Sequence, residues 1–144
     1  MLRHLHIENY ALIDRLDLEF RAGFNVLTGE TGSGKSIVVD AVVLLLGGKA
    51  SGELIRSGAE RAQITGVFSA ASPAASSRWT RLRKLLAESG IALDESEDLI
   101  VQREISAAGK ARVFVNHQPA TAALLAGMVS VGPRDWAGPR VAGA

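Results

Sequence analysis

An α/β fold is what this sequence predicts, and three observations carry it. Two segments with period-two alternation open the chain. A short apolar run then leads through a glycine-rich loop into a second apolar segment, and later two alternating arms flank a turn. The 144 residues suit a single domain with one core. Hydrophobic residues make up 47% and charged residues 22%, the balance of a globular chain rather than a disordered one. Sixteen basic and fifteen acidic residues leave a formal charge of +1. Nothing global attracts nucleic acid or anionic lipid, so such binding has to come from a local patch. With no cysteine there is no disulfide, thiolate chemistry or Cys-based metal site, which fits a reducing cytoplasm.

Each element follows in order. Leu5 and Ile7 alternate with His4, His6 and Glu8; Leu16, Leu18 and Phe20 alternate with Asp17 and Glu19. Both read as half-buried strands, antiparallel neighbours joined by a turn at Asn9 and Tyr10. Ala22-Gly23 signals another turn, and Phe24 to Thr28 is short and apolar enough for a buried strand. Lys35 to Leu46 reads as a helix stopped by Gly47-Gly48, apolar nearly all round and therefore buried. Ile64, Gly66 and Phe68 mark a strand near the end of the mixed stretch from Leu54, and Ser69 to Ser77 reads as a loop. Trp79, Leu82, Leu85 and Leu86 recur at helical spacing, with Gly90 as the stop.

Beyond the acidic loop Asp94 to Asp98, Leu99–Ile105 and Ala111–Asn116 form the arms of a hairpin turning through Ala107 to Lys110. Thr121 to Ala126 begins a further helix. From Gly127 the chain holds four glycines and two prolines in eighteen residues with no sustained period, so 127–144 is expected to be a divergent, weakly ordered tail. No membrane or signal segment is expected. The N-terminus lacks an apolar core, and the most apolar run, Ile37 to Leu46, is half a membrane span and carries Asp40.

The chemistry sits in Gly29-Glu30-Thr31-Gly32-Ser33-Gly34-Lys35-Ser36, which matches G-x-x-x-x-G-K-[ST], the P-loop or Walker A pattern. Glycines let the backbone curl so that successive N–H groups converge on an anion. The helix starting near Lys35 adds the positive end of its dipole. Lys35 reaches the β- and γ-phosphates of ATP, and Ser36 offers its hydroxyl to Mg²⁺. A buried strand before the loop and an apolar helix after it are the context this motif requires. A merely flexible Gly/Ser turn would not need either.

On Ile7-Glu-Asn-Tyr-Ala-Leu-Ile-Asp14 and Leu18 through the P-loop to Ala41, the chain closely resembles the RecN family, bacterial double-strand-break repair ATPases related to the SMC proteins. Leu44 to Ala50, Ile55 to Gly58, and the hairpin Val101 to Ile105 with Arg112 to Asn116 continue the likeness, which covers roughly residues 1–126. The resemblance implies the N-terminal lobe of an ABC/SMC-type ATPase head, a P-loop NTPase with a mixed sheet, a Walker helix and an antiparallel β portion. In that family ATP is sandwiched between two heads, and a C-terminal lobe supplies the signature motif, the Walker B acids and a switch histidine. The partners implied are ATP, the C-terminal lobe of the same head, a second head in a homodimer, and DNA. Contact with DNA is expected to be weak or absent for this lobe alone, and the location is cytoplasmic and nucleoid-associated. A glutamine-bearing Mg²⁺ loop is expected after residue 126, where this chain reads differently. The expectation is therefore a lobe that holds the phosphate cradle while the groups that activate water lie elsewhere, so that ATP hydrolysis belongs to the whole protein.

Several residues carry two readings. Glu30 is either a catalytic base or an outward, structural residue; beside phosphates of like charge the second is favoured. Asp40 either orients the metal shell or makes a polar contact to a neighbouring strand. Arg56 matches a position where SMC-type heads bring an arginine loop to nucleotide or DNA, and the alternative is a solvated surface arginine. Arg78, Arg81, Arg83 and Lys84 are either a phosphate-contacting patch or the charged outer face of an amphipathic helix, the second being favoured, and Arg103, Lys110 and Arg112 on the hairpin are a similar, weak candidate for DNA contact. His4 and His6 share a strand face but lack further ligands for a metal site, and Asp94 to Asp98 lacks the spacing of a Ca²⁺ loop.

Overall fold

The structure, a computed structural model, describes residues 2–11, 13–19, 40–48, 52–69, 76–93 and 98–131. Both alternating N-terminal segments are strands, β1 (Leu2–Tyr10) and β2 (Ile13–Glu19), paired antiparallel with Ile7 opposite Leu16. The turn falls two residues later than expected, between the paired Tyr10 and Ile13. Tyr10 is still in β1 and buried, while Asn9 and Ala11 take up positive φ (52° each). A helical segment α1 follows at residues 40–45, then a 3-10 turn (Gly52–Leu54) and β3 (Arg61–Phe68). Next come α2 (Ser76–Glu88), β4 (Leu99–Ser106), β5 (Ala111–Val115), β6 (Gln118–Ala120) and α3 (Ala122–Val131).

The strands form one six-stranded sheet in the order β2-β1-β3-β4-β5-β6, and every pairing among the described residues is antiparallel. The strand expected at Phe24 to Thr28 lies outside those residues. Because side chains alternate across a strand, the register stacks the apolar positions into rows on one face. One row runs Leu16, Ile7, Ile64, Arg103, Val113 and Ala120; the next runs Leu18, Leu5, Gly66, Val101, Val115 and Gln118. Leu5, Ile7, Ile64, Val101 and Val115 are wholly buried in the core, together with Leu45 of α1, Leu82 and Leu86 of α2, and Met128 of α3.

Both helix stops follow one geometry. Gly47 (φ 115°) and Gly90 (φ 85°) adopt the left-handed conformation that side chains resist. The next amides close back, Gly48 N–H on Val43 O at 2.9 Å and Ile91 N–H on Leu86 O at 2.8 Å, while Gly47 and Gly90 bond to Leu44 O and Ala87 O. These are Schellman caps, with Ile91 and Leu86 supplying the apolar contact. At the other end of α3, Thr121 Oγ1 accepts from Leu124 N–H at 3.0 Å, an N-cap.

Three expectations need correction. Helix α3 runs on to Val131 with Met128 fully buried, so the change of character expected at Gly127 does not start there; residues 132–144 lie outside the description. Gly127 is a packing residue inside the helix, since a Cβ there would stand 3.3 Å from Leu85 Cδ2 on α2. Helix α1 is not buried all round: Ala41, Val42, Leu44 and Leu45 face the core, while Asp40 and Val43 (58%) are exposed. Finally, β6 was not expected. It is joined to β5 by a tight turn in which Asn116 (φ 49°) and His117 (φ 68°) are both left-handed, the geometry of a type I′ hairpin. Its Pro119 is tolerated because, within the described sheet, β6 is an edge strand.

Candidate functional site

The motif residues Gly29, Glu30, Thr31, Gly32, Ser33, Gly34, Lys35 and Ser36 lie outside the described residues; what the structure shows is the ground on which the helix after them rests. That helix packs down on β3 and β4. A Cβ on Gly66 would collide with Leu45 Cδ2, so the bare backbone of β3 is what lets α1 approach. Beside it, Arg103 of β4 is buried (7% exposed), and its Nη1 donates to Leu44 O at 2.7 Å and to Gly48 O at 2.6 Å. Burial holds its pKa below the usual arginine range. The hairpin was expected to present Arg103 outward with Lys110 and Arg112. Those two are exposed, but Arg103 belongs to the inner face, on the same strand parity as Val101 and Ile105.

Asp40, the first described residue of α1, is exposed, and its charge adds to burial in raising the pKa of the Tyr10 hydroxyl. Arg56 lies in the segment that follows the 3-10 turn. Its own N–H donates to Asn9 O at 2.8 Å, and Ala11 N–H donates to Leu54 O at 2.7 Å, tying this segment to the β1–β2 turn. The guanidinium is about half exposed and pairs with Asp14 at 3.2 Å. On α2, Trp79, Leu82 and Leu86 are buried, and Arg81 and Lys84 are exposed, the charged outer face of an amphipathic helix. The side chain of Arg78 and residues 94–97 lie outside the description; Asp98 pairs with Arg3 at 3.3 Å.

The outer face of β1 and β2 carries a cluster the strand alternation predicts but whose contacts it does not. Asp17 Oδ1 meets His6 Nδ1 and, at 3.3 Å, His4 Nε2, while His6 Nε2 faces Glu8 at 3.0 Å. Among the described residues no group of three such side chains is arranged to hold a metal ion. Both ring nitrogens of His6 face carboxylates, a geometry only the doubly protonated ring satisfies. Burial works to lower the His6 pKa, but hydrogen bonds and charge from Asp17 and Glu8 outweigh it, so the value is raised above 6.5. The His6 hydrogen bond lowers the Asp17 pKa below 3.8. The stabilisation from His6 is therefore complete below pH 6.5 and is lost as pH rises through its raised folded value; that from Asp17 is lost as pH falls through its lowered one. In urea titrations between pH 5 and 8, the wild type should lose stability relative to His6→Gln as pH rises. Parallel profiles would show that the cluster contributes nothing.

Comparison with known proteins supplies the frame. A family model described as an AAA domain matches residues 4–110. Proteins named DNA repair protein RecN are similar over most of the chain: 36% identity over 119 residues in Vibrio cholerae, covering 83% of this chain, and 42% over 126 residues in Bacillus subtilis, covering 87%. The chain spans 20% of the length of each of these relatives. Among solved structures, the Smc head domain of Pyrococcus furiosus, bound to the C-terminal domain of ScpA, superposes with a TM-score of 0.71 at 18% identity, covering 93% of this chain and 34% of that one. The recombination mediator protein RecF with ATP superposes at 0.62 and 19% identity, covering 88% and 30%. The α/β fold is thus that of SMC heads and RecF. Among the described residues no helix is long and apolar enough to cross a membrane.

Proposed function

We propose, from the premise that the chain belongs to the AAA domain family, that it is the Mg²⁺–ATP-binding part of a DNA repair ATPase of the RecN kind. The observation that carries this is the complete Walker A octapeptide Gly29 to Ser36 lying inside the matched span 4–110. Its donor set suits a polyphosphate with a hard cation: consecutive amides and one ammonium for phosphate oxygens, one hydroxyl for Mg²⁺. Lys35 would hold the β- and γ-phosphates, Ser36 the metal, and the amides from Gly29 through Gly34, Glu30 and Thr31 included, would line the cradle. The bound cation would supply charge neutralisation on the phosphates. Arg56 would be the adjacent contact to nucleotide or DNA. Its exposed pair with Asp14 is of a kind worth at most about 1 kcal/mol, so exchanging Asp14 for a phosphate costs little.

In the longer protein the reading extends to ATP-gated engagement of two heads, with ATP favouring the engaged state through contacts that only that state makes. DNA and a second head would be partners there, and residues 1–126 one lobe of the head. For this chain the reading is binding rather than turnover.

Calorimetric titration of Mg²⁺–ATP into the chain and into Lys35→Ala tests it. Binding is expected for the wild type and a loss of affinity of at least about tenfold without the ammonium, about 1.4 kcal/mol. Equal binding by both would sink the assignment, and robust hydrolysis by the chain alone would sink the division between binding and turnover.

A further inference from the structure

We propose that Arg103 is a positioning residue for the phosphate loop: bonded to the C-terminal end of α1, it sets where the helix that follows the loop stands on the sheet. The proposal rests on the nucleotide-binding reading above. Arg103 occupies the middle of a core row, opposite Ile64 on one side and Val113 on the other. There it is 7% exposed, and among the described residues its Nη1 donates to two carbonyls at the helix end, Leu44 O and Gly48 O. A helix leaves its last carbonyls unpartnered and partially negative, so a cation belongs there.

What makes the residue more than a cap is its energetics. Its Nε is buried without a hydrogen-bond partner, and no carboxylate among the described residues offsets its charge. Burying a guanidinium on these terms is costly, and an apolar side chain would fill a row of isoleucine and valine without that cost. The arginine therefore does not owe its place to stability. It supplies two short, charge-assisted bonds from one nitrogen, which hold the helix end at a set distance from β4. Gly66 sets the depth of the same helix by admitting Leu45. One contact fixes how close α1 lies and the other where along and around its axis it stands.

On the expectation of a helix from Lys35 to Leu46, Lys35 would stand nine residues, roughly 14 Å, from Leu44. Rocking such a lever by about 5° moves its far end by roughly 1 Å. Errors of that size in a positioned group are worth up to about a hundredfold where chemistry depends on it, and on the order of tenfold is expected for binding.

The test compares Mg²⁺–ATP affinity, thermal midpoint and amide exchange in the wild type, Arg103→Met, Arg103→Lys and Leu86→Ala. Arg103→Met, which keeps the volume, should bind on the order of tenfold more weakly. Arg103→Lys, whose ammonium reaches one of the two carbonyls, should recover part of the loss. Leu86→Ala should lower the midpoint with affinity unchanged, because α2 holds no part of this anchor. In Arg103→Met the amides of Leu46, Gly47 and Gly48, bonded to Val42, Leu44 and Val43, should exchange faster. Wild-type affinity in Arg103→Met overturns the proposal, as does an equal loss in Leu86→Ala. If Arg103→Met fails to fold, an Arg103→Lys variant that binds like the wild type overturns it, and a partial loss supports it. A wild type that binds no Mg²⁺–ATP defeats the nucleotide reading instead. The anchor is then judged by exchange, and unchanged protection of residues 46–48 in the variants overturns it.

Discussion

Gly66→Val should destabilise the protein by about 2 kcal/mol or more, although valine is the better strand residue. Strand propensity favours the substitution by no more than about 1 kcal/mol. Against that, the first carbon of any side chain at Gly66 would overlap Leu45 Cδ2 and stand 3.1 Å from Phe68 Cε2. Both neighbours are fully buried, so neither has free space to retreat into. Overpacking of this kind costs about 1–3 kcal/mol, and here the element that must move is the helix after the P-loop. The urea midpoint should fall, and Leu45→Ala introduced beside Gly66→Val should restore part of the loss, giving a clear coupling energy in a double-mutant cycle. Additive effects would mean that α1 does not bear on Gly66 at all.

Trp79→Ala carries the larger cost, about 3–5 kcal/mol. Trp79 is 2% exposed and is the largest of the wholly buried side chains, sharing the inner face of α2 with Leu82 and Leu86. Domains of this kind have about 5–15 kcal/mol in total, so a large fraction would go, with a thermal midpoint lower by about 10 °C or more. Thermal melts followed by far-UV circular dichroism check this directly. A shift of only a few degrees would mean that α2 is peripheral to the core.

Much of this architecture was legible from periodicity because one face of the sheet is dry and the other wet. The alternations in β1, β2 and the β4–β5 hairpin, and the stripe on α2 with Gly90 as its stop, follow from that single fact. The misreadings have physical causes too. Gly127 opens the glycine- and proline-rich stretch expected to be a tail, yet a glycine inside a helix also marks close approach to a neighbour, here Leu85. Three residues including a proline, Gln118–Ala120, are too few to show a period, and the usable signal for β6 was the Asn116-His117 pair, whose left-handed backbone makes a two-residue hairpin. Arg103 was sorted by its charge when its parity was the better guide: Val101, Arg103 and Ile105 share one face, and two apolar neighbours at i±2 place the third residue in the core. The phosphate motif is a matter of residue type and spacing, and its residues 29–36 lie outside the described ones. The contacts that seat the helix behind it depend on strands far away in the chain, which no local pattern reveals.

The strand order has a kinetic corollary. β1 pairs on one side with β2, two residues away, and on the other with β3, which begins fifty-one residues after β1 ends. Closing a chain segment of that length costs roughly 3–4 kcal/mol of entropy before any contact repays it. The β1–β2 hairpin and the run from β3 to β6 are local by comparison, so their meeting is the slow step of folding. Residues 20 to 60, with the phosphate motif among them, are the segment which that meeting encloses. Helix α1, inside that segment, takes its seat on β3 and β4. The ground on which α1 rests is thus complete only when the sheet has closed, and nascent or partly folded chains would leave that helix without its seat.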